Sequence, residues 1–348
     1  MNLSLKKFKD FYLEHLLALL WRKWSALGVT GYGDNVESGL IDPEVLLLLS
    51  CTVARYDPRL FDAIMDWLNI NGGLINIRRL KKIINSYAFQ GADILSAVAA
   101  FMEQKHKFLK WKGLIRRQDT ESRESLFFLK DGSSMKQFGK SEPVFFKHGY
   151  LRGKIKLRKN LSPIKTGNNN CLIVKLRFLF GINARSEILL YLLAKGKAHP
   201  SEIARKIYYS QKTVQDTLVE MEHSGLVRLT MAGREKHYWL NNEKWSAFLM
   251  LDEPLTGYIN QPLFFYALEK LWLKLNQKNF CNFNSETQAS ELRELMREIR
   301  PKIEEAGFRG ILSDDQPYLG ESYLSVFQSD IKKLITTGEP LHAATKSA

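Results

Sequence analysis

The side chains that are best suited to recognising a ligand lie on a helix predicted for residues 210–223. Its apolar residues recur after four and three positions and share one face of the helix: Val214, Leu218 and Met221. Gln211, Lys212 and Gln215 fall toward the opposite side. Amides can pair bidentately with adenine edges, and an ammonium can meet guanine acceptors or a phosphate. The outward face of this helix therefore carries side chains suited to reading bases in a major groove.

Two further helices are predicted to position this face within residues 184–240. The first has an apolar face whose members are three and four positions apart: Ile188, Leu189, Leu192 and Leu193. Pro200 begins the second, because the amide hydrogen that proline lacks has no intrahelical partner in the first turn. Ser210 is expected to cap the third helix by accepting its free amides, and Gly225 to end it.

A hairpin is predicted directly after the third helix. Residues 226–231 alternate in the manner of a strand, Ala232 and Gly233 form a turn, and residues 237–240 return. Three charged residues are then expected at the tip: Arg234, Glu235 and Lys236. The tip is therefore basic on balance.

The order of three helices, a glycine and a hairpin resembles the winged helix-turn-helix regulators of the ArsR and MarR type. The resemblance is closest in the segment SQKTVQDTLVEMEHSGLV, at residues 210–227, and extends over about a sixth of the chain. It implies that helix 210–223 reads the major groove of double-stranded DNA and that wing 231–237 meets the backbone or the minor groove. The residues expected at the DNA are Ser210, Gln211, Lys212, Thr213, Gln215, Arg234, Lys236 and His237.

Metal sensing, which ArsR-type regulators often perform through cysteine and histidine clusters, is not expected here. The segment has no cysteine, and its histidines are not at ligand-like spacing: His199, His223 and His237. No metal site and no cofactor is therefore predicted.

The composition favours a globular protein with a polyanionic partner. The chain has 348 residues, of which 45% are hydrophobic, and a net charge of +14. Such a positive surface attracts nucleic acid through phosphate neutralisation. The three cysteines are far apart, which suggests neither disulfides nor a zinc finger and is typical of the reducing cytoplasm. No apolar stretch approaches twenty residues, so no membrane partner is expected.

The predicted fold class is mainly α, with the winged unit at residues 171–245 between two helical domains. Residues 1–120 form the expected N-terminal helical domain and residues 246–337 the C-terminal one. Residues 338–348 are small and polar and are expected to be disordered. Regulators of this type usually dimerise, because two recognition helices match a two-fold operator. Residues 171–182 and the C-terminal helices are candidates for a homodimer interface, although their apolar stripes could equally be core.

A helix at residues 75–85 has apolar residues on one side and four cations mostly on the other: Arg78, Arg79, Lys81 and Lys82. These cations are candidates for contact with a DNA backbone, and a second helix-turn-helix in this region is conceivable. The alternative is that they solvate the outside of a packing domain.

Residues 121–170 are predicted to be a basic linker. Between residues 130 and 165 there are ten Lys or Arg residues against two acids, a net charge of +8, among glycine, serine and proline. The segment either separates two domains as a partly mobile spacer or follows phosphates. Its candidates for backbone contact are Lys154, Lys156, Arg158 and Lys159.

These patterns predict a cytoplasmic, sequence-specific transcription regulator, with repression as the expected mode. The alternative is a winged-helix interaction module, such as an antitoxin-like protein or an adaptor subunit, that grips another protein without reading DNA. An enzyme is not expected, because the sequence has no GxSxG, HExxH or Walker motif and no supported pair of catalytic acids.

Overall fold

Capped amphipathic helices make up most of the chain, as the sequence predicts. The computed structural model describes residues 3–31, 39–106, 109–116, 122–137, 139–253, 255, 257–314 and 317–337. The tail expected at 338–348 lies outside the described residues. None of the described helices is both long and apolar enough to cross a membrane.

In the described part of the chain, five α-helices precede the basic segment. They are α1 (Leu5–Ala26), α2 (Pro43–Val53), α3 (Pro58–Asn71), α4 (Ile77–Ser86) and α5 (Gly91–His106). Two of them begin with the pair Asp-Pro, in which the aspartate accepts hydrogen bonds from the first turn. Asp42 Oδ1 accepts from the amides of Glu44 and Val45, and Asp57 Oδ1 accepts from that of Leu60. These caps fix where α2 and α3 start.

The basic segment is packed onto the helices, whereas the sequence predicted a partly mobile linker. It contains β1 (Glu124–Ser125), α6 (Pro143–Lys147) and β2 (Tyr150–Leu151), and the two short strands pair in parallel. The Phe145 side chain is fully buried, and Arg152 is 3% exposed beside the rings of Phe61 and Phe127. These anchors make the segment part of the folded structure.

A second group of elements has its own core. It consists of α7 (Leu172–Phe180), α8 (Ala184–Lys195), α9 (Pro200–Ile207), α10 (Gln211–His223), β3 (Arg228–Ala232), β4 (Glu235–Trp239) and α11 (Asn242–Phe248). We call this group the hairpin unit. Residues 172–177 of α7 are mostly buried, whereas Phe178 and Leu179 are exposed. Much of the candidate dimer interface at 171–182 is therefore core.

Three long helices follow: α12 (Gln261–Leu275), α13 (Ser285–Ala306) and α14 (Tyr323–Thr337). They share one hydrophobic core with α1–α5, so the two flanking domains expected from the sequence are a single body. Helix α12 packs on α1 and α2, and α14 packs on α1. The Tyr12 hydroxyl donates to the Leu268 carbonyl at 3.0 Å, and the rings of Phe8 and Phe327 are 5.8 Å apart. The body is thus closed by contacts between the first and last thirds of the chain.

The body and the hairpin unit are joined by a buried cluster of five charged side chains: Asp42, Glu44, Arg79, Arg177 and Glu187. Arg177 of α7 binds Glu44 of α2 through two hydrogen bonds of 2.8 Å and also donates to Glu187 Oε1 at 2.6 Å. Arg79 of α4 binds Asp42 through bonds of 2.8 and 2.5 Å and donates to Glu44 Oε2 at 2.8 Å. We call this arrangement the junction cluster.

Burial and charge act in opposite directions on the pKa values of two acids of the junction cluster, Asp42 and Glu187. Burial by itself would raise the pKa of Asp42, but the charge of Arg79 and its hydrogen bonds hold it below its ordinary value. For Glu187 burial prevails, so its pKa is raised although Arg177 and Arg79 oppose this. The cluster therefore depends on both arginines remaining in place.

Replacing Arg177 by Met should destabilise the fold by about 3–5 kcal/mol, because it leaves Glu44 and Glu187 buried without their main partner. The free energy of unfolding in urea measures the effect. Arg185→Met is the matched control, since Arg185 pairs with Glu220 at 2.5 Å but both side chains are well exposed. That exposed pair should contribute about 0–1 kcal/mol. Equal losses in the two variants would contradict a structural role for the junction cluster.

Candidate nucleic-acid interface

Helix α10 begins at a well-formed cap and is anchored by one apolar face. The Ser210 hydroxyl accepts a hydrogen bond from the Thr213 amide at 3.1 Å, as the sequence predicts. The buried side of the helix consists of Val214, Leu218 and Met221. The cap fixes the first turn, and the apolar face fixes the rotation of the helix about its axis.

The opposite side of α10 is open. The exposed residues at its start are Ser210, Gln211, Lys212, Thr213 and Gln215. Asp216 and Val219 are also exposed, so the outward surface contains an acid and an apolar side chain as well. All five sequence-predicted residues at the start of this helix are thus accessible to solvent.

The hairpin has a tighter turn than the sequence suggests. Ala232 pairs with Glu235, so Gly233 and Arg234 alone form the turn. Gly233 has a φ of 61°, which suits the first position of a two-residue hairpin turn. Glu235 and Lys236, expected at the tip, belong to strand β4 instead. Arg234 and Lys236 are nevertheless both exposed at the end of the hairpin.

The side chain of His237 is directed toward His199 at the start of α9 more than toward the tip of the hairpin. Its side chain is 24% exposed, with Nε2 3.4 Å from Glu235 Oε2. Its ring lies 5.9 Å from that of His199, which caps α9 by accepting from the Ser201 amide. His237 is therefore less accessible than Arg234 or Lys236.

Arg228 is an exposed cation of the hairpin that the sequence reasoning missed. Its guanidinium carbon lies 5.3 Å from the centre of the Trp239 ring, across the β3–β4 pair. The sequence did contain a signal for this contact. Arg228 is near the start of the first predicted strand and Trp239 near the end of the second, and antiparallel pairing places such residues opposite each other. Arg228 adds positive charge at the base of the hairpin.

The turn between α9 and α10 is clamped to the body. Tyr208 adopts a left-handed conformation, with φ 61° and ψ 48°, which is strained for an aromatic residue. Its hydroxyl donates to Asn260 Oδ1 at 2.9 Å and lies 2.9 Å from the Tyr87 hydroxyl. Tyr209 accepts a hydrogen bond of 2.5 Å from Asn76 Nδ2, and burial raises the pKa of Tyr209 to about 12. The start of α10 is therefore positioned by body residues.

Helix α4 lies beside this turn, and its four predicted cations divide into two kinds. Arg79 is 3% exposed and is held in the junction cluster, where its Nε also donates to the Ile207 carbonyl at 3.2 Å. The prediction that Arg79 contacts DNA is therefore wrong, because its guanidinium is buried and binds Asp42 and Glu44. Arg78, Lys81 and Lys82 are exposed.

Comparison with protein families, curated proteins and solved structures found no match to this chain. The geometry of the described residues is therefore the basis for assigning a role to the surface. Within those residues, no group of three or more His, Cys, Asp or Glu side chains could hold a metal ion.

Replacing Leu218 by Ala should destabilise the protein by about 2–5 kcal/mol, because the buried side chain leaves a cavity. Val219→Ala, one position further along α10, should change the free energy of unfolding by less than about 0.5 kcal/mol, because Val219 faces outward. Urea titration of the two variants measures the difference. A larger loss for Val219→Ala would mean that α10 is rotated relative to the faces described above.

Proposed function

We propose that this protein is a DNA-binding transcription regulator whose hairpin unit is a winged helix-turn-helix. The observation that carries the proposal is the exposed face of α10, where Gln211, Lys212 and Gln215 stand on a helix fixed by its cap and its buried side. Amide and ammonium groups on such a helix can meet base edges in the major groove. Repression, by occupying an operator, is the mode of regulation that we propose.

Backbone-to-backbone contacts within the hairpin unit support this proposal. Ala198, just before α9, pairs with Tyr238 of β4 through hydrogen bonds of 3.0 and 2.9 Å in both directions. The hairpin is therefore tied to the start of α9, and α9 packs on α10. The hairpin is thus connected to α10 through α9, and in this proposal Arg234 and Lys236 meet phosphates or the minor groove.

The exposed cations of α4 extend the proposed surface onto the body. The hydrogen bond between Asn76, which caps α4, and Tyr209 places the start of α4 next to the start of α10. Arg78, Lys81 and Lys82 can therefore meet phosphates near the bases that α10 contacts. Such contacts position a protein on the duplex without reading its sequence.

A second candidate function is a protein-interaction module without base readout. Exposed apolar side chains on α10 and β3 favour it: Val219 is 40% exposed, Leu229 36% and Met231 54%. A protein partner would bury these side chains. Absence of binding to any duplex, even at low salt, would support this alternative over DNA recognition.

Duplexes selected from a random library by the parent protein should share a sequence motif. Replacing Gln215 by Ala should weaken binding to that motif by about 1–3 kcal/mol and relax the preference at one position, if its amide pairs bidentately. Selection followed by sequencing, together with titration of the selected duplex, measures both effects. Gln277→Ala, an exposed glutamine after α12, is the control and should change neither. If the parent selects no shared motif, base readout by α10 is wrong.

Replacing Lys236 by Ala should reduce the dependence of binding on salt, because one phosphate contact at the hairpin is lost. Each phosphate contact contributes close to 0.9 to the slope of log affinity against log salt, so the slope should fall by about one. The fall should be the same for the selected motif and for a random duplex, because phosphates carry no sequence information. An unchanged slope would mean that the hairpin does not touch the DNA.

A further inference from the structure

The body contains a groove that is lined by cations and lies apart from the residues assigned to the hairpin unit. Its volume is about 550 Å³, and alternate residues of 154–160 form one wall. Lys154, Lys156 and Arg158 of this segment contribute three cations, and Arg59 of α3 contributes a fourth. All four side chains are exposed.

The wall is held in place by its backbone and by its alternate side chains. Ile155 and Leu157 are partly buried against the core of the body, so the residues between them must face outward. The Asp66 carboxylate accepts from the amides of Arg158 and Lys159, at 2.7 and 3.3 Å from Oδ1. At the other end, the Arg152 guanidinium binds Asp62 at 2.7 Å. The cations thus stand on a fixed and extended backbone.

Alternation along this backbone arranges three of the cations in a row. Residues two apart on the same side of an extended chain are separated by roughly 6.6 Å. At the rise of an extended chain, Lys154, Lys156 and Arg158 would span roughly 13 Å. A row of this kind fits a linear chain of anions better than one compact anion.

Among the described residues, two acids line the groove, and both already have partners. Asp62 is bound by Arg152, and Asp66 accepts backbone amides. Among the residues that the structure describes, none of the four cations forms an ion pair with a carboxylate, and Arg59 donates only to the Gly31 carbonyl. The four cations outnumber the two carboxylates of the described lining, and an anionic partner would reduce the repulsion among the cations.

We propose that this groove is a second nucleic-acid site, which binds the sugar-phosphate backbone independently of α10. Lysine and arginine meet phosphates without regard to base sequence, so the site would add affinity and not specificity. It goes beyond the proposed function, because it needs neither the hairpin unit nor an operator. The phosphates can come from a duplex or from a single strand, and the two are distinguished by experiment.

The test is a triple variant, Lys154→Ala, Lys156→Ala and Arg158→Ala, in the full chain. Binding to a random duplex and to one of its separated strands is titrated over a range of salt. Loss of three contacts should lower the slope of log affinity against log salt by roughly 2.7 on a duplex and roughly 2.1 on a single strand. A fall on only one of the two probes identifies the form that the groove binds.

A matched control removes the same charge from the same segment outside the groove. Lys136→Ala, Lys140→Ala and Lys147→Ala alter three exposed lysines that do not line it. This control should leave the slope close to that of the parent. Equal falls in both triple variants would overturn the proposal in favour of a diffuse effect of net charge, and an unchanged slope in the groove variant on both probes would also overturn it. Lys156→Gln, a single exposed change, should lower the slope by close to 0.9 on a duplex and serves if the triple variant unfolds.

The groove and α10 can be separated by repeating the titration in a chain that carries Gln211→Ala, Lys212→Ala and Gln215→Ala. The groove substitutions should lower the slope by the same amount in that chain, since they act on a different surface. If the parent selects no motif but the groove effect persists, the regulator proposal fails and the groove proposal stands. If the groove effect vanishes when α10 is altered, the groove is not an independent site and the proposal is wrong.

Discussion

The junction cluster combines two arginines and three acids that are almost wholly removed from water. Burying a charge costs several kcal/mol, and the cost is offset only when each ion has its partners in good geometry. Arg177 and Arg79 both bind Glu44, which accepts the backbone amide of Asn76 as well. The members come from α2, α4, α7 and α8, so the cluster forms only when the body and the hairpin unit are docked in one relative position. The orientation of the hairpin unit follows from this constraint.

The clamp on the α9–α10 turn depends on the same docking. Tyr208 occupies a backbone conformation that is unfavourable by about 1–3 kcal/mol for a residue other than glycine. Its hydrogen-bond partners, Tyr87 and Asn260, belong to the body, so the strain is tolerated only in the docked state. Because α10 starts two residues after this turn, the direction of its exposed face is set by body residues. A change at the junction cluster would therefore alter the orientation of the proposed DNA surface.

The sequence predicts what depends on neighbours along the chain. The Asp-Pro starts of α2 and α3, the cap at Ser210 and the two faces of α10 all follow from residues within about one helical turn. The position of the hairpin follows in the same way, although its turn is shorter than expected. The shared core of the first and last helices does not, because a helical stripe shows that a face is buried but not which partner covers it.

Arg79 and the segment at 152–160 show the same limit at single residues. Arg79 shares a cationic run with Arg78, Lys81 and Lys82, but it is buried because it binds distant residues, among them Glu44, 35 positions earlier. The basic segment has the composition of a linker, yet its cations alternate with Ile155 and Leu157. That alternation of period two was a readable signal of a segment packed against a core through alternate side chains.

The charge of the chain is thus divided between two environments that respond differently to salt. Inside the junction cluster, arginine and carboxylate are in direct contact and shielded from water, so dissolved ions screen them little. Arg78, Lys81 and Lys82 of α4 and the cations of the hairpin and the groove are exposed. Their affinity for phosphate falls as salt rises, because the release of counterions on binding becomes less favourable. Salt can therefore act on the proposed nucleic-acid contacts without loosening the joint that orients them. Cationic side chains thus serve both as buried partners of carboxylates and as exposed candidates for phosphate contact, and burial decides which role each one has.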